Sequence, residues 1–199
     1  MEKRSINFEL RAKPESRTIF GTATVFNSSY DMGWYDEEMS PESLNEADMK
    51  DVVALFNHDM NMVLARTSSG TLKLNVTGNA MEYEFEAPNT TLGNDLLEMV
   101  KRGDVYQSSF AFTVEAEDWQ ERQGMKPKRV IRSIAKVYDV SPVTYPANPD
   151  TMVAKRSYEA TKEIDKDLQT IIDISVKSEI NIQNELRRNA LHLLNLKTK

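Results

Sequence analysis

Two adjacent serines, Ser108 and Ser109, interrupt the apolar run "VYQSSFAF" at residues 105–112. A serine hydroxyl is a weak nucleophile at neutral pH and becomes a catalytic one only beside a base. If the run is a strand, its side chains alternate between two faces. Tyr106, Ser108, Phe110 and Phe112 then form the core-facing side, and Val105, Gln107, Ser109, Ala111 and Thr113 form a small, polar side. Ser108 reads as a small core residue, and Ser109 as a hydroxyl aimed into space that a substrate could fill. The chain has two histidines, His58 and His192, and only His58, in "ALFNHDM", lies in the same region. It follows an apolar run, where functional side chains often project from a scaffold; a lone histidine in a short polar loop also reads as an ordinary surface residue. Acyl transfer by such a pair needs a third group that orients the imidazole and stabilises its charged form. The acidic candidates are Asp139 in "KVYDVSPV", Asp59 beside the histidine, and Glu37 or Glu38. Asp139 interrupts an apolar strand, where an unpaired buried carboxylate would be costly, unless it lies on an exposed strand face.

The elements that must hold these residues follow from composition and pattern. The chain has 199 residues, 40% hydrophobic and 28% charged, which suits a globular domain with an appendage. Its formal net charge of -6 lacks the basic footprint of a nucleic-acid binder. With no cysteine there is no disulfide framework, thiolate nucleophile or cysteine zinc site, and two histidines make a histidine-rich metal site a poor reading. No apolar run approaches the roughly 20 residues that span a bilayer, and "MEKRSINFEL" lacks the apolar stretch of a secretory signal. A cytosolic setting is the expectation.

All seven glycines and all seven prolines lie at or before Pro149. Both residue types punctuate turns and are poor in helices, so a boundary is expected near "YPANPDT", residues 145–151, between a domain over 1–150 and a tail over 151–199. Before it, residues 17–26, 51–59, 70–87, 105–119 and 128–145 are rich in β-branched and aromatic residues and read as strands. "LKLNV" and "MEYEFEA" should form a hairpin across "TGNA", with Leu72, Leu74 and Val76 against Met81, Tyr83 and Phe85. Leu92, Leu96, Leu97 and Val100 at helical spacing predict a helix stopped by Gly103, and "SPESLNEADM" predicts a shorter one capped by Ser40 with Pro41 in its first turn. The fold class is α+β: a mixed β-barrel or sheet with a few flanking helices. In the tail, Ile164, Leu168, Ile171, Ser175, Ile182, Leu186 and Leu193 predict an amphipathic helix, or two, that self-associates or docks on a partner.

In order along the chain, "FGTATVFN", "EEMSPESL", "DVVALFNHD", "LARTSSGTLKL", "NTTLGNDLLEMVKRGDVYQSSFAF" and "VYDVSPVTYPANPDT" resemble the prohead, or capsid maturation, serine proteases of tailed bacteriophages, a family related to the herpesvirus assemblin protease. The resemblance runs from about Ile19 to Thr151. It implies a herpesvirus-protease-like fold and places the catalytic histidine on His58 and the catalytic serine on Ser109. The acidic residue heading the last block, usually glutamate in the family, is Asp139 here, and Ala111 stands where a glycine is common. The implied activity is an endopeptidase that cleaves, through an acyl-enzyme and without metal or organic cofactor, the scaffold segment of the major capsid protein, the portal and the protease itself. A homo-oligomer, dimer or higher, is implied, working inside the assembling procapsid in the bacterial cytoplasm, with no nucleic acid or membrane as partner. Two other readings stand beside it: a catalytically silent scaffolding or binding protein that keeps the protease fold, and an unrelated sheet-based ligand-binding domain in which the serine pair is only core.

Overall fold

The computed structural model of the chain describes residues 1–6, 10–12, 15–145 and 151–197. Contacts divide it into two compact units, Met1–Thr151 and Met152–Lys199. The first holds eleven described strands and one α-helix: β1 (Glu2–Ile6), β2 (Leu10–Ala12), β3 (Thr18–Val25), β4 (Ser29–Asp31), β5 (Asp36–Met39), β6 (Val53–Phe56), β7 (Asp59–Arg66), β8 (Leu72–Val76), β9 (Ala80–Glu86), α1 (Thr91–Arg102), β10 (Gln107–Gln120) and β11 (Lys128–Val143). The second is a single helix, α2 (Thr151–Lys197).

Seven strands make one sheet and four make the other. The larger runs β1-β10-β11-β5-β4, with β6 added on β11 and β7 on β6. The smaller runs β2-β3-β9-β8, all antiparallel. The frame of the first unit is the long β10–β11 hairpin, from Gln107 opposite Val143 to Gln120 opposite Lys128. The other edge of β11 is shared. Its first residues pair in parallel with β5, and Asp139 and Val140 pair in parallel with Val53 and Ala54 of β6. That second pairing brings the β6–β7 turn to the carboxyl end of β11. One apolar core, including Ile19, Tyr83, Phe85, Leu96, Phe110, Phe112, Ile131, Ile134 and Val140, fills the space between the sheets. Burying such side chains is the main favourable term, about 1.5–3 kcal/mol each.

The expected hairpin is present, with Leu72 opposite Phe85, Leu74 opposite Tyr83 and Val76 opposite Met81. Helix α1 starts at Thr90, whose hydroxyl accepts from the amide of Gly93 at 3.2 Å. It stops at Gly103 in the left-handed region, φ 80°, a conformation that costs glycine little because it has no Cβ. Leu96, Leu97 and Val100 are buried and Leu92 packs against the core.

Several expectations are corrected. No closed barrel forms among the described residues. The sheets are linked there by isolated backbone bonds, among them Leu10 N–H to Tyr106 C=O at 3.1 Å and Asn27 N–H to Met39 C=O at 3.0 Å, and not by a ladder. The helix expected over 40–49 is a 3-10 turn, Pro41–Leu44, and the Ser40 side chain makes no cap bond. Asp48 leaves the helical path to bond with β11 through Ala135 and Val137, so sheet pairing outcompetes helix extension. Tyr106 precedes β10 and is 55% exposed, while both faces of Gln107–Phe112 are buried. Residues 108–112 of the strand lie between β1 and β11, with a partner on each edge. In α2, Ile164, Leu168 and Ile171 are exposed. The side chains of Ile182, Leu186 and Leu193, and residues 146–150 of the expected boundary, lie outside the described residues.

The sheet holding the site is tied together by buried charge. Arg4 of β1 bonds Glu37 of β5, with one contact at 2.8 Å, and also Glu2. Arg129 of β11 bonds Glu2 at 2.8 and 2.9 Å, Glu37 at 3.0 Å and Glu117 of β10 at 2.7 Å. Removing one member of such a set leaves an uncompensated charge and costs about 3–5 kcal/mol. For Glu2, burial alone would raise the pKa, but Arg129 and Arg4 outweigh it and hold the carboxyl below its ordinary 4.5. A lowered carboxylate pKa adds stability that is complete above the unfolded value and fades as pH falls through the folded one. The Tm gap between wild type and Glu2→Gln is therefore expected to be widest near neutral pH and to shrink below the ordinary value of 4.5; a gap that is flat with pH would contradict it.

Candidate active site

Ser109 lies in β10 directly across from Ser141 of β11, and Ala111 lies across from Asp139. Partners opposite one another in a ladder, and residues two apart in a strand, share a face. Ser109, Ala111, Asp139 and Ser141 therefore form one patch, in which the small Ala111 leaves room for a ring. His58 supplies it. Phe56 pairs with Asp59, so Asn57 and His58 form the whole connection between β6 and β7. Both have positive φ, 54° and 57°, as in the two-residue turns whose twist matches that of a hairpin. Asparagine tolerates this region; histidine adopts it at a strain of about 1–2 kcal/mol.

The turn is fastened to the end of β11. The Asn57 amide N–H donates to the Pro142 carbonyl at 3.0 Å, its side-chain oxygen accepts from the Thr144 amide at 2.9 Å, and its side-chain nitrogen donates to the Thr144 hydroxyl at 3.3 Å. The imidazole is thereby held over the patch. His58 Nε2 is 2.6 Å from Ser109 Oγ, and His58 Nδ1 is 2.6 Å from Asp139 Oδ1. The Ser141 hydroxyl donates to Asp139 Oδ1 at 2.7 Å and lies 3.3 Å from His58 Nδ1. An ionised carboxylate only accepts, so the Nδ1 contact requires a proton on Nδ1, which leaves the lone pair of a neutral ring on Nε2, facing the serine. Hydroxyl, imidazole and carboxylate thus form a continuous chain of bonds, all three nearly or fully buried.

The other candidates are elsewhere. Ser108 faces the core and bonds the Tyr83 hydroxyl at 2.9 Å; burial raises the pKa of that phenol, outweighing the bond to Ser108. Asp59 accepts from the amide and side chain of Asn61 at 2.8 and 3.1 Å. Glu37 belongs to the buried charge cluster, and Glu38 bonds Lys128 at 2.8 Å. Ser109 does not point into open space: it is fully buried, against His58 and the Arg4 carbonyl. Sequence reading missed Asn57 and Ser141. An Asn-His pair before Asp59 carries a turn signal, since asparagine accepts positive φ, and Ser141 stands two residues beyond Asp139 on the same strand face. Among the described residues, no group of three or more His, Asp or Glu side chains is placed to hold a metal ion.

This arrangement meets its family in the comparison with known proteins. Residues 6–164 match the Caudovirus prohead serine proteases. The chain belongs to that family. No curated protein and no solved structure matches it. Membership supports a capsid maturation protease, and the matched range takes in every residue of the Ser109–His58–Asp139 patch as well as the start of α2. No helix among the described residues is long and apolar enough to cross a membrane.

The turn gives a test of its own. Asn57→Gly keeps the positive φ and removes the two side-chain bonds to Thr144, whereas Asn57→Ala removes them and adds strain. We expect kcat/KM to fall about 10-fold for the glycine variant and further for the alanine one, since small displacements of a catalytic group cost this much or more. Unchanged kcat/KM in Asn57→Gly would show that the backbone alone places His58.

Proposed function

We propose that the chain is a serine endopeptidase of prohead maturation in which Ser109 is the nucleophile, His58 the general base and Asp139 the group that orients it. The observation that carries this reading is the unbroken chain Ser109 Oγ–His58 Nε2, His58 Nδ1–Asp139 Oδ1, each link 2.6 Å. Ser109 Oγ attacks the scissile carbonyl carbon as its proton passes to Nε2. Asp139 stays ionised and stabilises the imidazolium through Nδ1–H. The collapse of the tetrahedral intermediate breaks the C–N bond, and Nε2–H delivers the proton to the leaving amine. Water then repeats the sequence on the acyl-enzyme: its proton goes to Nε2, the ester bond breaks, and Ser109 recovers its proton. Backbone amides hold the developing oxyanion, a contribution worth about 2.7–4 kcal/mol per donor.

The substrates we infer are proteins of the assembling procapsid: the scaffold segment of the major capsid protein, the portal and the protease itself. The first unit is the protease domain, of herpesvirus-protease-like fold. Helix α2, with Ile164, Leu168 and Ile171 exposed, is a tail for targeting or self-association. Co-expression with the capsid protein, followed by intact-mass measurement of both chains, tests the reading. Discrete capsid-protein fragments that require Ser109 support it. An intact capsid protein in assembled particles would sink it in favour of a silent scaffolding protein, a reading that the complete burial of Ser109 also invites.

A further inference from the structure

A nucleophile must bring its oxygen within about 3–3.5 Å of the substrate carbonyl carbon, and a fully buried Ser109 offers no such approach. Besides His58, its hydroxyl contacts the main-chain carbonyl of Arg4, at 2.9 Å. That carbonyl belongs to β1, which lies antiparallel along the nucleophile strand, with Lys3 opposite Ala111, Arg4 opposite Phe110 and Ser5 opposite Ser109. We propose that β1 is a built-in competitor. It occupies the edge of β10 along which an extended polypeptide would lie, it draws the Ser109 proton away from His58, and turnover requires it to leave. The proposal rests on the reading of Ser109 as nucleophile.

The proton count makes the competition concrete. Ser109 carries one hydroxyl proton and faces two acceptors, Nε2 of a neutral His58 and the Arg4 carbonyl. Given to Nε2, it is poised for transfer. Given to Arg4, it leaves the 2.6 Å contact to be made by a proton on Nε2; with Nδ1–H already committed to Asp139, the ring is then an imidazolium, a base with no capacity left. The Arg4 carbonyl also stands where no second carbonyl fits.

Topology says which element moves. Ser141 and Asp139 are on β11, and His58 is on a turn fastened to β11, so displacing either would dismantle the catalytic set. β1 ends the sheet path, has five residues and, among the described residues, pairs with β10 alone. Besides its ladder to β10, it is fastened by two side chains, Glu2 and Arg4, which enter the buried charge cluster with Glu37 and Arg129. Such a set holds firmly when complete and poorly once a member is withdrawn, which suits an element with two positions.

The readout is the rate at which a fluorophosphonate labels Ser109, followed by intact mass on the full chain. Labelling scales with the fraction of molecules in which β1 is open, so Arg4→Ala and Glu2→Gln, which each withdraw a β1 side chain from the charge cluster, are expected to react at least about 10-fold faster than wild type. Glu117→Gln, which removes a partner of Arg129 without touching β1, is expected to react at the wild-type rate. Measurable labelling that is no faster in folded Arg4→Ala and Glu2→Gln than in wild type overturns the competitor role and leaves the nucleophile intact, and equal acceleration in Glu117→Gln overturns it too, since the sheet would then be loosening as a whole. Absence of labelling in every form, Arg4→Ala included, sinks the nucleophile assignment and the proposal together.

Discussion

Ser109→Ala is expected to abolish peptide-bond cleavage, lowering kcat by about 10⁵–10⁶-fold, the scale seen when the nucleophile of a serine peptidase is removed. The size follows from the bond that forms. Without Oγ there is no acyl-enzyme, and His58 is left facing a methyl group with nothing to deprotonate. Stability should barely change. The side chain is small and its neighbour Ser108, not Ser109, anchors Tyr83 in the core, although the Arg4 carbonyl loses a donor. Intact mass over time on the purified chain, with and without capsid protein, checks the expectation, with thermal melts run beside it. Ser108→Ala is the informative companion. It should retain most of its activity while losing some stability, because the Tyr83 hydroxyl is left buried without its partner. Equal cleavage by wild type and Ser109→Ala would remove this residue from the chemistry.

The second large effect is expected at Asp139. Replacing it with asparagine keeps the shape but offers an amide in place of a carboxylate. The amide N–H donates to Nδ1, which shifts the ring proton to Nε2 and leaves no lone pair toward Ser109. A loss of about 10⁴ in kcat is the precedent for this tautomer reversal. KM should change little, since Asp139 contacts the imidazole and Ser141, and this split separates orientation of His58 from a loss of binding. Ser141→Ala, which removes a single bond to the same carboxylate oxygen, should lower kcat far less. A drop below about 10-fold in Asp139→Asn would mean that another group orients the ring.

How much of this was legible in the sequence depended on what each residue touches. Strands β3, β8, β9, β10 and β11 could be read because apolar side chains recur along them and feed one core. β1 ("EKRSI") and β5 ("DEEM") could not, because the charged Glu2, Arg4 and Glu37 are among their buried residues and break any apolar alternation. Glu2, Arg4, Glu37 and Arg129 become tolerable inside through their ion pairs, and pairings such as Arg4–Glu37 and Glu2–Arg129, across more than thirty positions, leave no local pattern. β7 escaped for the opposite reason, since Met60, Met62 and Val63 are exposed and show no alternation. Ser109, His58 and Asp139 were each readable as candidates from residue type and parity. That Asp139, rather than Asp59, meets the imidazole follows from the parallel pairing of β6 on β11, a long-range contact invisible to spacing. The covering of Ser109 by β1 is hidden in the same way.

The two-residue turn that carries His58 also sets a rule for reading relatives. Its reach is fixed by chain geometry, about 3.3 Å per residue, against a 2.6 Å contact at each ring nitrogen. One residue more or fewer between Phe56 and Asp59 moves the imidazole by more than the length of either bond. Alignments of active members should therefore run without a gap across this hairpin, whatever their sequences do in the β8–β9 turn. A relative with an insertion between Phe56 and Asp59 is expected to keep the fold but not the contact of imidazole with serine, even if histidine, serine and acid are all still written in its sequence.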